Sequence, residues 1–292
     1  MRFAGEDKGF EPVEIIVAHR AGFCFGVKRA VDTAFQVAKT ADGVFTLGPI
    51  IHNPQLVSAL RKNGVGVAES IAELKQKKAG KVIVRTHGVT QEEMHMLEQE
   101  GFNVEDLTCP YVKKAQHYAK LLREEGYQVV ILGDIEHPEV KGLKSYAGQE
   151  AIVVRHPDEL PRMKSKVGLV VQTTQPVEAL IRLITALAGQ ARELKVYNTI
   201  CSSTALRLKE TMELASQVEV MVVVGGRNSA NTTQLTRLCE KSVPTYHIET
   251  AGEIREEWFR GVKKAGITAG ASTPDWIIKE TEKVLRAIGG SE

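Results

Sequence analysis

Long apolar runs are missing from this chain of 292 residues: none approaches the roughly 18 residues that suggest a bilayer-crossing helix. Its opening stretch, MRFAGEDKGFEP, has no apolar core of the signal-peptide kind, so the expectation is a cytoplasmic protein without membrane contact. Charge of one sign is equally scarce. With a net charge of +2 and no long basic run, nucleic acid is not expected as a partner. A Walker-type loop is absent too, which argues against transfer of a phosphoryl group. Aromatic residues make up 5%, and the two tryptophans, Trp258 and Trp276, lie in amphipathic patterns that predict core positions. Cysteine is sparse at four residues, Cys24, Cys109, Cys201 and Cys239, none of them in the tight CxxC pairs that build most structural zinc sites. In a reducing compartment, cysteines so far apart favour metal or catalytic use over disulfides.

What is present is a repeat. Cys24, Cys109 and Cys201 divide the chain nearly into thirds, and each follows a β-rich run, VEIIVAHRAGFC, FNVEDLTC or LKVYNTIC. After each comes a helix-patterned segment, VKRAVDTAFQVAK, PYVKKAQHYAKLLREE or STALRLKETMELAS. A second strand then ends in glycine, and Gly48, Gly133 and Gly225 each stand 24 residues past their cysteine. Polar clusters carrying His52, His137 and Ser229 follow those glycines and open further helices. A third set of strands ends in His87, in Thr173 with Thr174, and in Ser272 with Thr273. Strands alternating with helices predict an α/β fold of three small units with mostly parallel sheets. The boundaries expected are 24–108, 109–198 and 199–292, the last completed by an N-terminal strand over 13–20. Ligands of parallel sheets gather beyond the carboxyl ends of the strands, where every residue singled out lies. Three such units most simply face a common centre, and inward-facing repeats predict a monomer.

Three convergent thiolates suit a zinc ion with one further ligand or an iron–sulfur cluster. The wide spacing leans toward a cluster, in which three thiolates leave one iron of a cubane open to substrate. Ser229, Asn231, Ser272, His52 and His87 offer donors near helix starts, where free N–H groups favour anions, and so predict a phosphorylated substrate. His137 and Glu139, within one turn in EHPEV, are suited to handling protons. Taken singly, a histidine or serine at a helix start is more simply a cap, and recurrence in three repeats is what sets these apart. Cys239 has no counterpart in the other repeats and is expected to be a packing residue.

The motifs GFCFGVKRA, LGPIIHNP, RTHGV, TCPYV, HPEVKG, QTT, TIC, GGRNSANTTQL and TAGASTPD occur in that order over nearly the whole chain. Together they resemble the 4-hydroxy-3-methylbut-2-enyl diphosphate reductase family of the non-mevalonate isoprenoid pathway. The resemblance implies a trefoil of three α/β domains around a 4Fe-4S cluster held by Cys24, Cys109 and Cys201. It implies that His52, His87, Ser229, Asn231 and Ser272 hold the diphosphate, and that Thr173, His137 and Glu139 surround the substrate hydroxyl, with Glu139 supplying a proton. The polar tip also makes Thr174 a candidate substrate contact. The implied reaction removes the hydroxyl as water, with two electrons and two protons, giving isopentenyl and dimethylallyl diphosphate. An external electron donor such as ferredoxin or flavodoxin is implied as partner. One departure is Ala230, which stands where many members carry serine. Two other readings keep the metal: a hydro-lyase that needs no reductant, and a non-catalytic iron–sulfur sensor.

Overall fold

Residues 13–288 are described by a computed structural model. In chain order the first elements are β1 (Glu14–Val17), α1 (Phe25–Thr40), β2 (Val44–Leu47), α2 (Pro54–Lys62), β3 (Val65–Ala68), α3 (Ile71–Gln76), β4 (Lys81–Val84), α4 (Gln91–Gln99) and β5 (Asn103–Asp106). The middle of the chain forms α5 (Pro110–Glu124), β6 (Gln128–Leu132), α6 (Pro138–Ala147), β7 (Ile152–Val154), β8 (Lys166–Val171), α7 (Val177–Ala188) and β9 (Glu193–Val196). The last elements are α8 (Ser202–Ala215), β10 (Val220–Val224), α9 (Ala230–Cys239), β11 (Thr245–Ile248), β12 (Lys264–Ala269) and α10 (Asp275–Ile288).

The strands form three parallel four-stranded sheets of one pattern, β3-β2-β4-β5, β7-β6-β8-β9 and β11-β10-β12-β1. The fourth place, filled by β5 and β9 in the first two sheets, is taken in the last by β1, which pairs Glu14 with Lys264 through Val17 with Ile267. In each sheet the strand leading to a cysteine is therefore an edge strand beside the third strand of its set. The described residues divide into two compact units, one spanning Phe25–Ala205 and the other formed by residues 13–24 with 206–288.

Apolar runs explain why these strands sit at the centres of their sheets. VMVVV of β10 has no alternation because both faces are covered. Val220, Val222 and Val224 face Ile277, Ile278 and Leu285 of α10, while Met221 and Val223 face Leu214, Ala215 and Leu235. Likewise Val130 and Leu132 of β6 pack with Leu180, Leu183 and Leu187 of α7, and Val129 and Ile131 with Ala119, Leu122 and Leu143. Each such Val or Leu contributes about 1.5–3 kcal/mol when fully buried. Cys239 is fully buried in one of these layers and burial pushes its thiol up to about 12, as fits a packing residue.

One core expectation fails. Trp276 is 47% exposed, because the buried stripe of α10 runs through Ile277, Ile278, Thr281 and Leu285 and leaves Trp276 beside it. Trp258 is half-buried and stacks flat on Tyr246, with ring centroids 4.0 Å apart.

The recurrent glycines make the same bond to the end of the neighbouring strand three times. Gly48 N–H donates to Ala68 O at 2.7 Å, Gly133 N–H to Val154 O at 2.9 Å and Gly225 N–H to Ile248 O at 2.9 Å. At each, a Cβ would strike the segment beyond the third strand: Arg85 at Gly48, Gln172 Oε1 at 2.9 Å from Gly133, and Thr273 Oγ1 at 2.6 Å from Gly225. Glycine there lets the strand ends carrying the candidate residues draw together.

Candidate active site

All three repeated cysteines lie where an edge strand gives way to a helix. Cys24 immediately precedes α1, Cys109 is the N-cap of α5, and Cys201 immediately precedes α8. Exposed N–H groups at such helix starts favour negative charge, a setting suited to thiolates. Each is half-buried. In the Phe25–Ala205 unit the Sγ of Cys109 faces Gly26, where a Cβ would approach it to 2.7 Å, so glycine leaves room beside the sulfur. Soft donors at helix starts, with space kept at one of them, fit an iron–sulfur group.

The same unit gathers three histidines from three elements. His52 lies in the turn after β2, His87 in the turn after β4, and His137 is the N-cap of α6. Their ring centroids are 4.6 Å (His52 to His87), 5.5 Å (His52 to His137) and 5.2 Å (His87 to His137) apart. Burial lowers the pKa of all three and the nearby Arg85 guanidinium adds to the effect, with His52 also acting on His87 and His137, and His137 on His87. His137 is pushed down to about 4, while Asp134 opposes that fall. The ring nitrogens come close enough to ligate one cation, and neutral imidazoles are the ligating form. Arg85 decides against it: a cation beside the cluster opposes a second one and attracts an anion. Nε2 of His52 and Nδ1 of His87 are buried with no protein partner among the described residues, as donors awaiting such an anion would be.

Glu139 follows His137 in the first turn of α6, and its own N–H donates to His137 Nδ1 at 3.2 Å. The carboxyl is 2% exposed. Thr173 donates its backbone N–H to Oε1 at 2.6 Å and its hydroxyl to Oε2 at 2.8 Å. Burial raises the Glu139 pKa to about 7, although both Thr173 bonds pull it down. Thr174, half-buried, follows in the same turn. In the other unit, Ser229 caps α9 by accepting Thr232 N–H at 3.3 Å, and Asn231 Oδ1 accepts Ala271 N–H at 3.0 Å. Ser229, Asn231 and Ser272 are all buried, and Asn231 Nδ2 and Ser272 Oγ have no protein partner among the described residues. Capping thus accounts for part of Ser229 and His137 and leaves the other donors unexplained.

Three polar residues were not singled out by sequence. Arg85 passes against Gly48 and acts on every histidine of the trio. Gln172 is 1% exposed, and its Oε1 accepts Asp134 N–H at 3.1 Å, tying the turn after β6 to the turn after β8. Arg207 is 3% exposed and donates to Gly22 O at 2.8 Å and Ala269 O at 2.9 Å. A signal for Arg207 exists: it shares a helical stripe with Thr204, Thr211 and Leu214, all buried.

The pattern of the family described as LytB protein matches residues 15–286. The chain belongs to the LytB protein family. This LytB-family chain is 49% identical over 280 residues to the 4-hydroxy-3-methylbut-2-enyl diphosphate reductase of Citrifermentans bemidjiense, covering 94% of the chain and 98% of the relative. A protein of the same name from Trichlorobacter lovleyi is 48% identical over 283 residues, with 96% and 100% covered. Among solved structures, one of (E)-4-hydroxy-3-methyl-but-2-enyl diphosphate reductase, described as the terminal enzyme of the non-mevalonate pathway, has a TM-score of 0.72 and 44% identity over 94% of the chain and 99% of that structure. The Plasmodium falciparum E-1-hydroxy-2-methyl-but-2-enyl-4-diphosphate reductase has a TM-score of 0.85 over 95% of the LytB-family chain and 88% of its own, and at 24% identity it speaks for the fold alone. Among the described residues no helix is long and apolar enough to cross a membrane.

Proposed function

We propose that this chain reductively dehydroxylates 4-hydroxy-3-methylbut-2-enyl diphosphate to isopentenyl and dimethylallyl diphosphate, as the names of its relatives suggest. Cys24, Cys109 and Cys201 hold a 4Fe-4S cluster. When bound, the cluster supplies electrons and an open Lewis-acidic iron. The electrons come from an external carrier such as ferredoxin or flavodoxin. The carbon–oxygen bond breaks with the uptake of two electrons and two protons, and water leaves.

The chain's own residues bind, orient and deliver protons. His52, His87, Ser229, Asn231 and Ser272 hold the diphosphate, with Arg85 adding positive charge behind the imidazoles. Thr173, Thr174 and His137 border the hydroxyl end. What carries this reading is the buried Glu139 carboxyl: burial raises its pKa to about 7, so a large share of it is protonated at neutral pH, and Thr173 fixes both oxygens. A carboxyl of ordinary acidity would be empty of protons when the leaving oxygen needs one.

The deciding experiment is anaerobic purification with iron and sulfide analysis, followed by turnover with the allylic diphosphate and a reductant. About four irons and four sulfides per chain are expected. Glu139→Gln should keep the cluster and lose turnover by about 100-fold or more. Turnover without reductant would identify a hydro-lyase instead, and a harmless Glu139→Gln with no diphosphate binding would identify a sensor.

A further inference from the structure

Each of the three proposed metal ligands makes the same backbone bond. Cys109 N–H donates to Thr86 O at 2.9 Å, Cys201 N–H to Thr173 O at 2.9 Å, and Cys24 N–H to Ala271 O at 3.3 Å. The acceptors stand at one offset, two residues past the ends of β4 at Val84, β8 at Val171 and β12 at Ala269. At Cys109 and Cys201 they prolong the pairing of edge strand with third strand beyond the sheet, in register with Leu107 N–H to Val84 O and Tyr197 N–H to Leu169 O, whereas Cys24 returns to the third strand after a turn in which Ala21 N–H donates to Ala18 O. The residue after each acceptor is a proposed substrate contact: His87, Thr174 or Ser272. A planar peptide group therefore carries the cysteine's acceptor on its carbonyl side and the contact residue on its nitrogen side. Because that plane is rigid, a tilt at one side moves the other.

Each acceptor is also pinned from elsewhere. Thr86 Oγ1 donates to Ile50 O at 2.9 Å, Thr173 is held by both oxygens of Glu139, and Ala271 N–H is held by Asn231 Oδ1 at 3.0 Å. Arg207 brackets the third bond by holding Gly22 O and Ala269 O. We infer that the peptide groups after Thr86, Thr173 and Ala271 are positioning elements that set each cysteine by the substrate residue beside it and transmit occupancy of that residue to the ligand loop. The inference rests on the site assignments proposed above and goes beyond them by naming which contact addresses which cysteine: His87 addresses Cys109, Ser272 addresses Cys24, and Thr173 with Thr174 addresses Cys201.

Amide hydrogen exchange on the anaerobic, cluster-loaded protein tests it, with inorganic pyrophosphate as the probe. Pyrophosphate has the diphosphate and lacks the alcohol, so it should engage His87 and Ser272 and leave Thr173 and Thr174 alone. Peptides holding Cys109 and Cys24 should then exchange roughly threefold or more slowly, while those holding Cys201 and Cys239 do not change. Separately, Glu139→Ala should speed exchange in the Cys201 peptide by removing the grip on Thr173, and Glu139→Gln should restore it, because the amide oxygen still accepts from Thr173 N–H. Saturable pyrophosphate binding with unchanged cysteine peptides, or with all four slowed alike, overturns the linkage and spares the function. Absence of pyrophosphate binding sinks the diphosphate assignment and the linkage with it.

Discussion

At the scale of single residues, burial disfavours charge on the histidine trio and on Glu139 alike. For His52, His87 and His137 desolvation comes first and the Arg85 guanidinium adds to it, so imidazoles that are mostly neutral at pH 7 in water stay neutral to lower pH here. A diphosphate placed against them reverses that balance and raises their pKa values. Binding then takes up protons, so affinity for pyrophosphate should rise as the pH falls from about 8 to about 6. Calorimetry in buffers of different ionisation enthalpy should show the uptake directly, and a buffer-independent heat at neutral pH would mean that the imidazoles bind without charging. Glu139 works in the other direction. As an acid with a pKa near 7, it loses its proton as the pH rises through neutrality, so turnover should decline above about pH 7 with a slope of one proton. A pH profile flat to about pH 9 would remove Glu139 from the proton-delivering step.

At the scale of elements, the turn after the second strand of each sheet is the critical joint. Gly225 has φ +149°, and a Cβ there would lie 2.6 Å from Thr273 Oγ1 and 2.8 Å from Thr232 Oγ1. Gly225→Ala should cost about 1–3 kcal/mol in urea unfolding and weaken pyrophosphate binding, because strain and contact act together beside Ser229 and Ser272. Gly64, with φ +87° and nothing within 4 Å of its Cβ position, gives the contrast: Gly64→Ala should cost only about 1–2 kcal/mol and leave binding unchanged. These joints were legible before any coordinates, since equal spacing of Cys24, Cys109 and Cys201 from their glycines reflects one helix-and-strand unit repeated. The parallel α/β class was legible for the same reason, from apolar runs alternating with helical patterns. Arg85 and Gln172 were not, because their significance comes from Gly48 and from Asp134, each tens of residues away in the chain. Trp276 misled because hydrophobicity alone does not say on which side of an amphipathic stripe a residue one step off it will fall.

At the scale of the whole molecule, two sheets are drawn from contiguous sequence and one is not. Strands β2 to β5 and β6 to β9 can each pair as soon as they are made, whereas β1 must wait for β12, some 250 residues later, to find its neighbour. Released chains truncated just before Lys264 should accordingly resist protease over residues 44–196 and be cut within 220–248, and full-length chains should resist over both. Equal resistance in the truncated chains would show that the last sheet closes without its central partner strand. Translation order and assembly order thus run opposite at one place: Cys24 is made before Cys109 and Cys201, yet the carbonyl its N–H donates to, Ala271 O, is made after both of them. Under the proposed ligation, a nascent chain that stops short of Ala271 would therefore offer a prosthetic group two settled seats of three.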